Sequence, residues 1–326
     1  MNGAEVDKML PDRNMEDLQG KRILVTGGAG FIGSHLIDRL SNCEILVVDD
    51  LSTMNETYLP SRVKFKRIKA EDFRTDENFN IIAHMAARPS PDDYVNNPVD
   101  TMLANSVGTY NMLEIARKND SVFFFTSSSE VYGSAEVVPT PETYWGMVNP
   151  VGTRSCYDES KRFSEALILS YYRQYGLDVR IERVFNVYGP RLRGDGSYGR
   201  VISRFILRAL NGEPLEVHGD GLQTRAFLYV DDWVNATIKV ISLGKLCGEV
   251  INVGSDREVR ILELAKKIIK LTNSNSKIVY GPERPNDPRR RAADISKARE
   301  LLNWAPKVTL DEGLRKTIEW FSRKAQ

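Results

Sequence analysis

Two side chains four residues apart stand out as a unit that could move a proton: Tyr157 and Lys161, in the run Tyr157-Asp158-Glu159-Ser160-Lys161. Apolar residues recur at helical spacing over 157–175, so the pair falls on one face of a helix. An ammonium held there, beside the positive ring of an oxidised hydride acceptor, lowers the phenol's pKa, and the phenolate can then take the proton of an alcohol. A second group of reactive types lies at the end of an apolar strand-like run, Thr126-Ser127-Ser128-Ser129-Glu130. Hydroxyls there can orient a reacting alcohol, because ligands of open α/β sheets sit beyond the carboxyl ends of the strands.

These groups need a partner that removes hydride, and the N-terminal third of the chain offers a place for one. The strand pattern Arg22–Thr26 runs into Gly27-Gly28-Ala29-Gly30-Phe31-Ile32-Gly33 and then into a helix pattern. In that context Gly27 allows a tight turn, Gly30 lets the backbone approach a pyrophosphate, and Gly33 packs helix on strand. The helix N-terminus offers unpaired N–H groups to phosphate. The next strand pattern ends at Asp49, 16 residues after Gly33, where a carboxylate can accept both ribose hydroxyls and would repel a 2′-phosphate. That favours NAD over NADP, with Asp50 a competitor for the contact. Candidate cofactor contacts are therefore Gly27, Gly30, Phe31, Ile32, Gly33 and Asp49, together with Asp72, Ala86, Tyr157 and Lys161.

The elements that must position these residues alternate. Strand patterns at 22–26, 44–49, 63–68, 81–85, 122–127 and 179–184 are separated by helix patterns at 31–40, 101–118 and 157–175. Alternation of this kind predicts a Rossmann-like, doubly wound parallel sheet covered on both faces. After about Pro190 the chain turns to Gly-, Arg- and Pro-rich loops with shorter helices at 200–211 and 261–271. The organisation expected is an N-terminal extension (1–20), an NAD-binding domain (21–190) and a smaller α/β substrate domain (191–326). Strand-like runs at 225–230 and 250–253 are expected to rejoin the main sheet.

Composition excludes several classes. Lysine and arginine number 45 against 44 aspartate and glutamate, so no overall field attracts nucleic acid or an anionic membrane, and an anionic ligand must be met by local groups. The three cysteines, Cys43, Cys156 and Cys247, are odd in number and far apart, which fits thiols in a reducing compartment and offers no metal site. No stretch reaches the ~20 apolar residues of a membrane span, and the first 20 residues lack the regions of a secretory signal. A cytoplasmic location is expected.

Glycine-rich turn, serine, tyrosine and lysine together resemble the short-chain dehydrogenase/reductase superfamily over nearly the whole chain. Three downstream motifs resemble its extended, nucleotide-sugar branch: Arg183 to Arg191 (RVFNVYGPR), Gly219 to Phe227 (GDGLQTRAF) and Tyr229-Val230-Asp231-Asp232. The resemblance implies that Asn186 and Arg225 contact a nucleotide diphosphate, which suits a guanidinium that forks onto phosphate oxygens. Within the branch, Cys156 to Arg162, Asp287-Pro288-Arg289-Arg290-Arg291 and Ser90 to Tyr94 resemble the UDP-glucuronate decarboxylases. Their strand-end signature Ser-Thr-Ser-Glu is here Ser127-Ser128-Ser129-Glu130, which keeps a hydroxyl at Ser128.

That resemblance implies oxidation of C4 of UDP-glucuronate, loss of CO2 from the resulting β-keto acid, and reduction to UDP-xylose with NAD restored. It places Tyr157, Lys161 and Ser128 at C4, Glu130 and Ser129 at proton delivery near C5, and Tyr94 and Arg291 at the sugar carboxylate. It also implies a homodimer formed by the helices at 101–118 and 157–175. Departures from the family at Ala87-Arg88-Pro89 and Val48-Asp49-Asp50-Leu51-Ser52-Thr53 leave a UDP-sugar 4-epimerase as the alternative. A 4,6-dehydratase would need an Asp-Glu pair where Ser129-Glu130 stands, and an NAD- or nucleotide-binding protein without turnover would not need Tyr157 and Lys161.

Overall fold

The computed structural model describes residues 17–54, 57–283 and 288–324. Asp287, and all of the expected N-terminal extension before Asp17, lie outside the described residues. The first half comprises β1 (Arg22–Thr26), α1 (Phe31–Arg39), β2 (Glu44–Asp49), β3 (Lys64–Arg67), β4 (Ile81–His84), α2 (Pro91–Asn96), α3 (Pro98–Asn119), β5 (Val122–Ser128), α4 (Ser155–Tyr175) and β6 (Val179–Val184). The second half comprises β7 (Val187–Tyr188), α5 (Val201–Leu210), β8 (Leu215–His218), β9 (Thr224–Ala226), β10 (Leu228–Tyr229), α6 (Val230–Ser242) and β11 (Glu249–Val253). It ends with β12 (Glu258–Arg260), α7 (Ile261–Leu271), β13 (Ile278–Gly281), β14 (Arg290–Arg291), α8 (Ser296–Leu302) and α9 (Leu310–Lys324).

The main sheet has seven strands in the order β11-β6-β5-β4-β1-β2-β3, every pair parallel. Side chains alternate across it with period two, as a sheet covered on both faces requires. Ile23 and Val25 of β1 join the core under α1 and α6, while Leu24 between them joins the core under α3 and α4. On β5, Phe124 faces the first core and Phe123 and Phe125 the second. The order of connection reverses between β1 and β4, which opens a crevice at their carboxyl ends.

Strand Glu249–Val253 forms the far edge of this sheet, pairing with β6. The expected strand over 225–230 requires correction, because it does not rejoin the sheet. It breaks at Phe227: Thr224–Ala226 pairs with β12 and β14, Leu228–Tyr229 pairs with β7, and Val230 already begins α6. The cause lies in α6, whose buried face (Val234, Ile238, Ile241) joins the core beside α1, leaving too few residues for a strand to reach the sheet. The C-terminal part therefore sends a helix and a strand back to the nucleotide-binding half.

One buried acid in this framework has a measurable signature. Glu182 on β6 is fully buried; its Oε2 accepts the Thr237 hydroxyl at 3.0 Å, and burial pushes its pKa up to about 8. The folded protein thus holds a proton that the unfolded chain releases near pH 4.5, so the contribution of Glu182 to stability is greatest below that pH and falls as pH rises toward 8. Glu182→Gln should remove up to ~1.4 kcal/mol per pH unit of this slope. Urea unfolding at pH 5.5 and 8.5 measures the change, and equal slopes in both proteins would contradict it.

Candidate active site

A cleft of about 960 Å³ runs along the carboxyl ends of the strands and holds nearly every candidate residue. Its floor is the turn after β1. Gly27 has φ +70°, and a Cβ there would lie 2.7 Å from the Ala86 Cα; a Cβ on Gly33 would lie 2.5 Å from the Gly27 carbonyl oxygen. Both positions therefore exclude any side chain. Thr26 fixes this floor to β4: its Oγ1 accepts from the backbone N–H of Met85 and of Ala86, at 3.2 Å each, so its own proton must go to His84 Nδ1 at 2.7 Å. The buried His84 then carries its proton on Nε2, facing Thr109 at 3.1 Å, and burial foremost holds its pKa down to about 3.

The residues that would hold a dinucleotide fit the task. Asp49 ends β2 with Oδ2 accepting the Ala29 N–H at 3.0 Å and Oδ1 the Leu51 N–H at 2.8 Å, which fixes the carboxylate and leaves each oxygen a lone pair toward the cleft. Gly30, Phe31, Ile32, Gly33 and Ala86 line the same stretch. The first turn of α1 has no side-chain cap, so its N–H groups are available to phosphate. Asp72 requires correction: it is exposed and off the cleft, where Ala70 and Glu71 stand instead, because the chain turns after Lys69 and buries Phe73 beside it.

Tyr157 and Lys161 lie on one face of α4, both buried and both lining the cleft. Lys161 Nζ donates to the Thr126 carbonyl at 2.8 Å and sits 4.4 Å from the Phe125 ring centre. Burial pulls its pKa down to about 7. Tyr157 is pushed up to about 12, again by burial, against a hydrogen bond from Ser128 and the charge of Arg200 that pull it down. The acidification expected of the phenol needs the positive nicotinamide ring beside Lys161, and the chain's own groups do not supply it without that ring.

The other end of the floor is ionic. Glu130, in the helical turn after β5, takes both terminal nitrogens of Arg291 and also Arg154 Nη2, the last at 2.5 Å. Burial opposes ionisation, but the two guanidiniums outweigh it and hold Glu130 down to about 2. Glu130 is therefore a carboxylate, able to accept from water or a hydroxyl beside it. Arg291 faces this floor because β14 pairs with β9, with Arg291 beside Arg225. Tyr94 on α2 stacks on Tyr157, ring centres 5.1 Å apart and planes 7° off parallel, and its buried hydroxyl has no hydrogen-bond partner. Ser128 and Ser129 line the cleft between these groups, and Asn186 donates to the Ala226 carbonyl at 3.1 Å beside Arg225.

Sequence reasoning passed over Arg154, although its place three residues before the tyrosine puts it one helical turn away. It also passed over a bridge between the cleft walls. Arg193 donates to the Thr53 carbonyl at 3.0 Å, Arg204 pairs with Asp92 at 2.8 Å, and Arg88 joins Asp93 to the Tyr198 hydroxyl. Each of these arginines is paired with an aspartate, Arg88 with Asp93, Arg193 with Asp195 and Arg204 with Asp92, so they tie the walls together without adding net charge.

Comparison with known proteins identifies the family. Residues 23–254 match the NAD dependent epimerase/dehydratase family. UDP-glucuronic acid decarboxylase 1 of Danio rerio is 42% identical over 325 residues, covering 98% of this chain and 77% of that protein. UDP-glucuronic acid decarboxylase 3 of Arabidopsis thaliana is 45% identical over 312 residues, covering 93% and 90%. Among solved structures, UDP-glucose 4-epimerase with UDP-glucose from Thermotoga maritima has a TM-score of 0.86 at 34% identity, covering 94% of this chain and all of that one. A catalytic-type tyrosine and lysine over a glycine-floored dinucleotide cleft, with these likenesses along nearly the full chain, place it in the NAD dependent epimerase/dehydratase family, among the relatives of the UDP-glucuronic acid decarboxylases.

Proposed function

We propose that this chain converts UDP-glucuronate to UDP-xylose through a 4-keto sugar. The observation that carries the reading is the pairing, on one cleft floor, of an alcohol-directed phenol, Tyr157, with two guanidiniums gathered around Glu130. A 4-epimerase of neutral sugars needs the first feature but has no use for a cationic pocket beside it. NAD, when bound, supplies the oxidising and reducing equivalents for C4 and a positive charge near Tyr157.

The chain's own residues do the rest. Tyr157 takes the C4 hydroxyl proton, with Ser128 aligning the exchange and Lys161 fixing the helix face from below. Once C4 is a ketone, charge released by the departing CO2 spreads to its oxygen, where the Tyr157 O–H stabilises it. Glu130 keeps Arg291 facing the sugar's carboxylate end and, with Ser129, manages water or proton delivery toward C5. Asn186 and Arg225 hold the diphosphate.

In this reading residues 21–190, with α6 and β11, carry the dinucleotide, and the remaining C-terminal elements carry the sugar nucleotide. The chain works as a homodimer: α3 and α4 lie side by side and expose Met102, Leu103, Tyr110 and Phe163, an apolar surface suited to a second copy. A cytoplasmic site of action accords with three free thiols. No helix among the described residues is long and apolar enough to cross a membrane.

The test is incubation with UDP-glucuronate labelled with carbon-13 in its carboxyl group, in heavy water. The expected result is labelled CO2 and a UDP-pentose carrying one deuterium. A UDP-uronate epimer with the label retained would overturn the decarboxylase in favour of the epimerase.

A further inference from the structure

Charge counting at the ionic end of the cleft points to a ligand contact. Glu130 is one anion between two cations, Arg154 and Arg291, and all three side chains are mostly buried, at 16%, 22% and 11% exposure. The trio carries net charge +1 in a place where unpaired charge is costly. The nearest other acid, Asp158, is buried with its Oδ1 unpartnered, and burial with the neighbouring Glu130 pushes its pKa up to about 7, so it does not reliably supply the missing negative charge. Tyr94, close by, has a buried hydroxyl with no acceptor. An arriving anion would satisfy both deficits.

Arg154 is placed to meet it. It is the cap residue immediately before α4, and its carbonyl accepts the N–H of Tyr157 at 3.0 Å and of Asp158 at 3.1 Å, so its position is locked to that of the phenol. Its bond to Glu130 uses one of five guanidinium N–H groups, and the side chain lines the cleft.

From this geometry we infer that Arg154 is a specificity-determining residue, which together with Arg291 and the Tyr94 hydroxyl binds the carboxylate of a uronic acid sugar. Glu130 is the built-in anion that holds the two guanidiniums toward each other until the ligand's carboxylate completes the neutralisation. The inference rests on the uronate reading above and assigns the selection of uronate over a neutral sugar to a pair of arginines. A charge-assisted, largely desolvated contact of this kind is worth a factor of roughly 10–100 in affinity.

The experiment is calorimetric binding of UDP-glucuronate and of UDP-xylose, which lacks the carboxylate, to NAD-loaded protein carrying Tyr157→Phe, so that the ligand is bound without being turned over. Arg154→Gln should weaken UDP-glucuronate roughly 10- to 100-fold while UDP-xylose keeps its affinity, and Arg154→Lys should recover part of the loss. Equal weakening of both ligands in both variants would make Arg154 a structural residue and overturn the inference, as would unchanged UDP-glucuronate binding. Because the readout is binding, it stands apart from turnover. Wild-type protein that prefers UDP-glucuronate yet releases no CO2 would sink the decarboxylase and leave the arginine pair in place.

Discussion

Tyr157→Phe should lower kcat roughly 10²- to 10⁴-fold while leaving the protein folded and able to bind NAD. The phenylalanine ring keeps the stacking on Tyr94 at 5.1 Å and loses only the hydroxyl that faces Ser128. No neighbour can replace it. Lys161 is tied to the Thr126 carbonyl, Glu130 is held down to about 2 as a carboxylate between arginines, and Ser128 is far too weak an acid. Single-turnover absorbance of reduced nicotinamide isolates the step: with UDP-glucuronate present, the variant should accumulate almost none. A variant that still reduces its cofactor at near the native rate would mean that another group takes the C4 proton.

The second large effect is on stability. Glu130→Gln preserves shape but removes the one charge shared by Arg154 and Arg291, so two mostly buried guanidiniums face each other without a counterion. Removing one partner of a buried ion pair costs about 3 kcal/mol. Thermal unfolding of the variant should therefore begin well below that of the native protein. Added UDP-glucuronate should restore more of the loss than UDP-xylose does, since only the former brings a carboxylate. Unchanged unfolding in the variant would show that solvent already screens the trio.

Much of this architecture is legible in the chain because its signals are local. The glycines of 27–33 fall between a strand pattern and a helix pattern, and the run Ile23, Leu24, Val25 needs only period two to predict burial on both faces. Tyr157 and Lys161 share a helix face by spacing alone. What escaped depends on tertiary placement. Thr224 to Tyr229 has strand-like content throughout, yet its division between two small sheets is dictated by where α6 must pack. Asp72 and Glu71 are adjacent acids, and only the turn after Lys69 decides which meets the cleft. Arg154 bears no mark in the sequence until Glu130, 24 residues earlier, is brought against it.

The bonds from Arg193, Arg204 and Arg88 across the cleft walls have a consequence for timing. In the proposed cycle a sugar oxidised at C4 has to stay bound until it is reduced, and several charged contacts span the walls of the cleft that would hold it. Raising the salt concentration weakens the exposed members of that set first, among them Arg204 with Asp92. Premature leakage of the ketone should accordingly be a property of high ionic strength, with the fraction of turnovers that finish as pentose declining as the crossbar loosens.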